Sequence, residues 1–277
     1  MKKSILVGAV LLLMAANHAH AGAIVAGFNS NTLLGNDDGS AGPVNIGFNV
    51  NFFGVNTNQL YVNNNGNVTF DFPLGTFTPF GLTSTNLPII APFFADVDTR
   101  FAGQPVTFGT GSFNGRDAFG ANWVDVDYYA SSPSHTNRNS FQLLLVDRSD
   151  IGAGDFDIIF NYDQIQWETG QASGGDANGL GGNSARVGFS AGSGLPGTFF
   201  ELAGSGVNGA FLDGGPNALI TNQFNSGLDS RYVFSARNGD VSVQPVPEPS
   251  SMAIFAVGAI GMAIRVARQR RTRVAHV

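Results

Sequence analysis

Leu60-Tyr-Val-Asn-Asn-Asn-Gly-Asn-Val-Thr-Phe70 is the stretch whose reading decides the fold. Leu60 and Val62 alternate with polar neighbours on one side of Asn65-Gly66. Val68, Phe70 and Phe72 alternate on the other side. A period of two puts successive side chains on opposite faces of a strand. Asn-Gly supplies the positive φ angles that a tight hairpin needs. The segment therefore predicts a β-hairpin with one apolar face.

The same signals recur outward from it. Asn-Gly stands again at Asn114, Asn178, Asn208 and Asn238, each a candidate turn. Further strands are predicted over 89–97, 121–129, 140–147, 156–162, 185–190 and 230–236, and no convincing helical period falls between 22 and 240. Residues 170–183 are rich in Gly, Asn and Ser and predict a long loop. The expectation is a single all-β domain over 22–240, an antiparallel β-sandwich.

Both ends read as addresses. Lys2 and Lys3 precede an apolar run from Ile5 to Ala16, and Ala19-His20-Ala21 is a small-x-small cleavage site. Residues 1–21 are thus a secretory signal peptide, cut between Ala21 and Gly22. At the other end, a linker over 241–251 carries Val246-Pro247-Glu248-Pro249. An apolar span over 252–264 follows, and Arg265, Arg268, Arg270, Arg271 and Arg273 crowd the tail at 265–277. As a helix, thirteen residues reach about 20 Å, short of a bilayer core of about 30 Å. Arginines on that side alone hold it in the cytoplasm. Order and content resemble the PEP-CTERM sorting signal of Gram-negative bacteria. That resemblance implies an exosortase as processing partner, transient membrane insertion through the short transmembrane segment, and delivery to the cell surface or extracellular matrix. A permanent C-terminal anchor is the competing reading.

Composition excludes several chemistries. Between Gly22 and Asp240 the chain has seven arginines, 19 acidic residues and no lysine, a charge of about −12. Such a surface argues against nucleic acid and anionic membranes. With no cysteine there is no disulfide, thiolate nucleophile or cysteine zinc site. His135 is the one histidine of the domain, so multi-histidine metal centres are excluded. The 24 phenylalanines supply the material of a packed core.

The remaining candidates are acidic or aromatic. Asp96 and Asp98 stand two apart, so on a strand both carboxylates share a face and could converge on calcium, which takes oxygen ligands at about 2.3–2.6 Å. Asp125/Asp127 and Asp155/Asp157 repeat the spacing, and Asp37-Asp38-Gly39 offers a loop version. The plainer reading is solvated carboxylates, or Asp96 capping a turn. No other cofactor is implied. Trp123 alternates with Asp125 and Asp127, and Trp167 precedes Glu168; these form a candidate ligand surface for polysaccharide, against the alternative that both indoles are core. Glu168 and Glu201 would be the carboxylates of a glycosidase. Gly188-Phe-Ser190-Ala-Gly192 matches a nucleophile elbow without the helix and downstream histidine that it requires.

Four stretches resemble the nidogen-like (NIDO) domain over roughly 45–237. They are Leu60–Phe70, Ile90-Ala-Pro-Phe-Phe-Ala-Asp-Val-Asp-Thr-Arg100, Phe141 through Gly170, and Ala185-Arg-Val-Gly-Phe-Ser-Ala-Gly192. The resemblance implies an extracellular domain linked to cell–matrix adhesion, without catalysis. The reading is therefore a secreted, non-enzymatic adhesion or biofilm-matrix protein that contacts exopolysaccharide or extracellular protein. A carbohydrate-binding module and a secreted glycosidase are the rivals.

Overall fold

A computed structural model of the protein describes residues 23–132 and 136–244. The signal peptide with Ala21 and Gly22, His135, the motif at Val246–Pro249, and the span and tail behind it lie outside the described residues. Fourteen strands are present among those described. They are β1 (Asn31–Leu33), β2 (Ser40–Phe52), β3 (Val55–Asn63), β4 (Asn67–Thr69), β5 (Pro88–Phe94), β6 (Val97–Asp98), β7 (Val106–Phe113), β8 (Arg116–Tyr128), β9 (Asn139–Asp147), β10 (Phe156–Ile165), β11 (Arg186–Ala191), β12 (Phe199–Glu201), β13 (Arg231–Arg237) and β14 (Asp240–Ser242).

They form two antiparallel sheets, as the alternation predicts. One has the order β12-β11-β5-β4-β3-β2. The other runs β1-β7-β8-β9-β10-β13-β14, with β6 added beside β8. The hairpin read from Leu60–Phe70 is β3-β4, with Asn63 paired to Asn67. Gly66 at its tip has φ +73°, and a Cβ there would fall 1.8 Å from the carbonyl oxygen of Phe93. Asn114-Gly115 and Asn238-Gly239 close the β7-β8 and β13-β14 hairpins. Asn178 and Asn208 sit in turns within longer loops. Because Asn238-Gly239 turns the chain back, residues 241–242, expected as linker, belong to β14.

Strands β1, β2, β7 and β12 escape the alternation rule. Ser40–Phe52 carries Gly42, Pro43 and Gly47 and reads as loop, yet it forms a long edge strand with two register shifts. An edge tolerates proline because one row of its backbone groups faces away from the sheet.

The inner faces of the sheets meet in one aromatic core. Phe52 stacks on Phe70 at 5.1 Å, and Phe189 joins Phe52 to Phe234 edge-on. At the far end Trp123 stacks on Phe141 at 5.3 Å, and Phe93 bridges Phe141 to Trp167. Each fully buried large apolar side chain contributes roughly 1.5–3 kcal/mol. Both outer faces are also covered. The connection before β5 folds Leu74, Phe80, Leu82 and Leu87 onto Ile89, Ala91 and Phe94. The N-terminal segment lays Val25 and Phe28 onto Ala118, Leu144, Val146 and Ile159.

Gly66→Ala tests the hairpin tip. The new methyl meets backbone, which cannot move aside, in a φ region hostile to side chains. The expected cost is at least ~3 kcal/mol, read as a lower urea midpoint or as loss of the folded signal in circular dichroism.

Candidate functional site

The chain leaves the six-stranded sheet at Phe94 and enters the other at Val97, so Ala95-Asp96 is the crossover at one end of the sandwich. The loop between β1 and β2 brings Asp37 and Asp38 to the same place. A carboxylate oxygen from each of Asp37, Asp38 and Asp96 lies within 4.8 Å of the other two. Oxygens about 2.4 Å from one hard cation have this mutual spacing.

The turn at 64–66 builds the site. Asn64 Nδ2 donates to the carbonyls of Asp37 at 2.5 Å and Val97 at 2.6 Å. Asn65 Nδ2 donates to Asp38 Oδ1 at 2.8 Å, while Asn65 Oδ1 accepts the amide of Val97 at 2.9 Å. The Thr99 hydroxyl donates to the Asn36 carbonyl at 2.9 Å, and the Asn36 amide donates to Thr99 Oγ1 at 3.0 Å. The loop with both aspartates is thus tied to the crossover through buried side chains.

The carboxylates are poorly served. Asp96 is 1% exposed, and its carboxylate is served by Ser173, whose hydroxyl lies 3.4 Å from Oδ2. That is long for an O–H···O contact. Asp37 Oδ1 is buried and accepts no hydrogen bond, while its Oδ2 lies 2.9 Å from Arg100. Burial, then Asp98 and Asp38, push Asp37 up to about 6 against the pull of Arg100. Burial, then Asp37 and Asp38, push Asp96 up to about 7. Desolvation disfavours the charged form, and like charges reinforce it.

Asp98, expected beside Asp96, stands outside this cluster. Arg100 grips it through Nε at 3.0 Å and a terminal nitrogen at 2.7 Å. The parity argument fails there because Asp96 occupies the crossover and β6 has only two residues. Sequence reading noted Asp37-Asp38 but not their meeting with Asp96. Ser173 carried no signal of its own, and Asn65 reads in the sequence only as a turn residue.

The expected ligand surface at Trp123, Asp125, Asp127 and Trp167 is not a surface. Both tryptophans are fully buried. Trp123 Nε1 donates to the Asn64 carbonyl at 2.9 Å, and Trp167 Nε1 to the Val126 carbonyl at 3.3 Å. A register shift between Trp123 and Val126, with Asp125 at φ +57°, breaks the alternation. It leaves Asp125 exposed, while Asp127 is buried beside Arg138 at 3.2 Å. Asp155 Oδ1 accepts the Asn238 amide at 2.8 Å, and Asp157 pairs with Arg148 and Arg237.

The glycosidase and elbow candidates are likewise occupied. Glu168 is fully buried, and its two oxygens accept the backbone amides of Gly209 and Phe211. Burial holds its carboxyl above the usual range. Glu201 binds Arg186 at 3.1 Å and accepts the Leu82 amide at 2.7 Å. Ser190 is buried in β11, and its Oγ accepts the Gly192 amide at 3.1 Å.

Asp37 and Asp96 dictate a pH dependence when no cation is bound. Their folded pKa values lie above the unfolded ones. The stability they contribute is present below the unfolded value and is lost as pH rises through the folded one. With chelator present, stability is expected to fall between about pH 4 and about pH 7. Urea unfolding at both ends of that interval checks it: Asp96→Asn should lose less than the wild type.

Comparison with known proteins follows the same outline. The nidogen-like domain family matches residues 58–238, and a PEP-CTERM protein-sorting motif matches 245–271. The chain is 40% identical to alpha-tectorin of Mus musculus over 192 residues, covering 61% of this chain and 8% of that protein. Alpha-tectorin of Gallus gallus is 34% identical over 222 residues, covering 71% and 10%. Nidogen of Drosophila melanogaster is 28% identical over 194 residues, covering 61% and 13%. The chain thus spans about a tenth of the length of the curated relatives it matches, and no solved structure matches it significantly. Domain and motif together support an extracellular protein sorted by exosortase. With the family match covering more than half of its length, the chain belongs to the nidogen-like domain family.

Proposed function

We propose that this chain is a non-enzymatic matrix or adhesion protein, carried to the cell surface by its sorting signal and acting within a biofilm. One observation carries the reading: a nidogen-like domain at 58–238 is followed directly by a sorting motif at 245–271. Contact would be made by loops at the ends of the sandwich, with exopolysaccharide or extracellular protein as partner. Leu34 and Phe101 project there at 79% and 67% exposure, on the two segments that carry Asp37 and Asp98. The engagement of Glu168, Glu201 and Ser190 in the fold weighs against a glycosidase or other hydrolase. The burial of both tryptophans removes the aromatic platform on which the carbohydrate-binding rival rested.

Intact mass and fractionation of the protein from its native host test the reading. A mass ending near Pro249, with the protein in the matrix, is the expected result. Retention of Arg265 to Val277 in a membrane fraction would replace it with a tethered periplasmic domain.

The same reading gives Asp37, Asp38 and Asp96 a calcium-type cation. The support is the buried, unserved Asp37 Oδ1 beside a carboxylate that is 1% exposed. Binding to the folded state alone stabilises by RT ln(1 + [L]/Kd), about 2.7 kcal/mol at a hundredfold excess over Kd. Melting should then rise by roughly 5–10 °C in calcium over chelator, and Asp96→Asn should abolish the rise. Identical melting in calcium and chelator would rule the cation out.

A further inference from the structure

The outer face of the eight-stranded sheet carries a row of polar side chains that crosses five strands. Thr107, Asn122, Gln142, Asn161 and Arg231 stand in register on β7, β8, β9, β10 and β13. Gln142 Nε2 donates to Asn122 Oδ1 at 2.8 Å, Asn161 Nδ2 to Gln142 Oε1 at 2.8 Å, and Arg231 Nε to Asn161 Oδ1 at 2.7 Å. Gln142 and Asn161 are fully buried, and what buries them is the N-terminal arm Ala23–Phe28, laid across the strands.

The row holds the arm through its backbone. Arg231 donates to the Ala23 carbonyl at 2.9 Å. Gln142 donates to the Val25 carbonyl at 2.8 Å and accepts the Val25 amide at 3.0 Å. Asn122 Nδ2 donates to the Phe28 carbonyl at 2.9 Å. Ala23 and Phe28 are the deep side chains of the arm, at 3% and 5% exposure, and two glycines clear the seat of the Phe28 ring. A Cβ at Gly120 would fall 2.5 Å from its ring, and one at Gly111 would fall 2.9 Å away. These are the elements of peptide recognition: main-chain hydrogen bonds for affinity and one aromatic pocket for register.

We propose that this face is a peptide-recognition groove whose partner is the N-terminal arm of a second copy of this chain. The arm precedes every strand among the described residues, so it leaves the groove without threading any of their loops. Beyond Phe28 the chain is exposed at Asn29 and Ser30, is held by three residue pairs between β1 and β7, and is exposed again at Leu34. A vacated groove uncovers buried amides and the apolar patch of Ala118, Leu144, Val146 and Ile159. The arm of a neighbouring copy restores every one of those contacts, because they are the same atoms. The two arrangements differ only in the hinge and in local concentration, which is the physical basis of segment exchange. A sorted protein crowded at a surface meets the concentration that favours the exchanged form.

Two complementary variants of the chain beginning at Gly22 test this. Gly120→Ala fills the Phe28 seat but keeps a native arm. Phe28→Ala keeps a native seat but a weakened arm. Mixed, they should give heterodimers in native mass spectrometry that neither variant gives alone. A synthetic peptide of residues 23–30 should compete with the heterodimer, and its Phe28→Ala form should bind the Phe28→Ala chain at least tenfold more weakly. Monomers only in the mixture, or dimers formed equally by either variant alone, would overturn the proposal. Should a variant fail to fold, wild-type chains in two isotopic forms give the same readout. Residues 22–244 contain no lysine, so a photo-crosslinker on the terminal amine marks the arm alone. Crosslinks between heavy and light chains are then expected, and crosslinks only within one chain would refute it.

Discussion

The buried asparagine turn between β3 and β4 is the constraint on which the rest of the sandwich depends. Asn63, Asn64, Asn65 and Asn67 are all fully buried. A primary amide in a core costs several kcal/mol unless its donors and acceptors are met. Here they are met partly by one another and partly by segments distant in the chain. Asn63 Nδ2 reaches Asn67 Oδ1 at 2.8 Å, and its Oδ1 accepts the amide of Leu74 at 3.0 Å. Asn64 and Asn65 reach the loop after β1 and the crossover after β5. The turn therefore fixes where three connections run. The crossover between the sheets, and the acidic cluster with it, is placed by side chains that an isolated hairpin would expose to water.

Charge is distributed by the same logic. In a domain with seven arginines and no lysine, cationic partners are few. Asp98, Asp127, Asp157 and Glu201 each receive an arginine. Glu168 and Asp155 take backbone amides instead. Asp96 and Asp37 receive less than their burial demands. Buried carboxylates left short of partners can mark a place where a protein accepts a local cost for something other than folding. This is why the crossover, and not the tryptophans or the paired aspartates on the strands, is the end of the molecule proposed to carry function.

Both outer faces of the sandwich are covered, one by the connection before β5 and the other by the N-terminal arm. Covering by an arm differs physically from covering by a loop. A loop is held at both ends, whereas an arm is bound only by its contacts and can be supplied by another molecule. Among the relatives, the similarity occupies about a tenth of much longer chains. Here the domain match at 58–238 is followed directly by the sorting motif at 245–271.

Local pattern alone determined the all-β class, the sandwich, the β3-β4 hairpin and the strands from Pro88 to Arg237 whose apolar residues alternate. Turn chemistry and strand period act over a few residues and need no partner. The sorting motif was legible for the same reason, because such an address is a linear pattern. Strands β2 and β7 were hidden by glycine, proline and asparagine, which are tolerated there because neighbours, not propensity, hold them extended. The site was only half legible. Asp96 was visible, but its pairing with Asp98 was inferred from a strand parity that a sheet crossover cancels, and the bulge after Trp123 misled in the same way. That Asp37 and Asp38 meet Asp96, and that Asn122, Gln142, Asn161 and Arg231 align into one row, was decided by tertiary structure. Sheet register joins residues dozens of positions apart, and no local pattern in the chain encodes that distance.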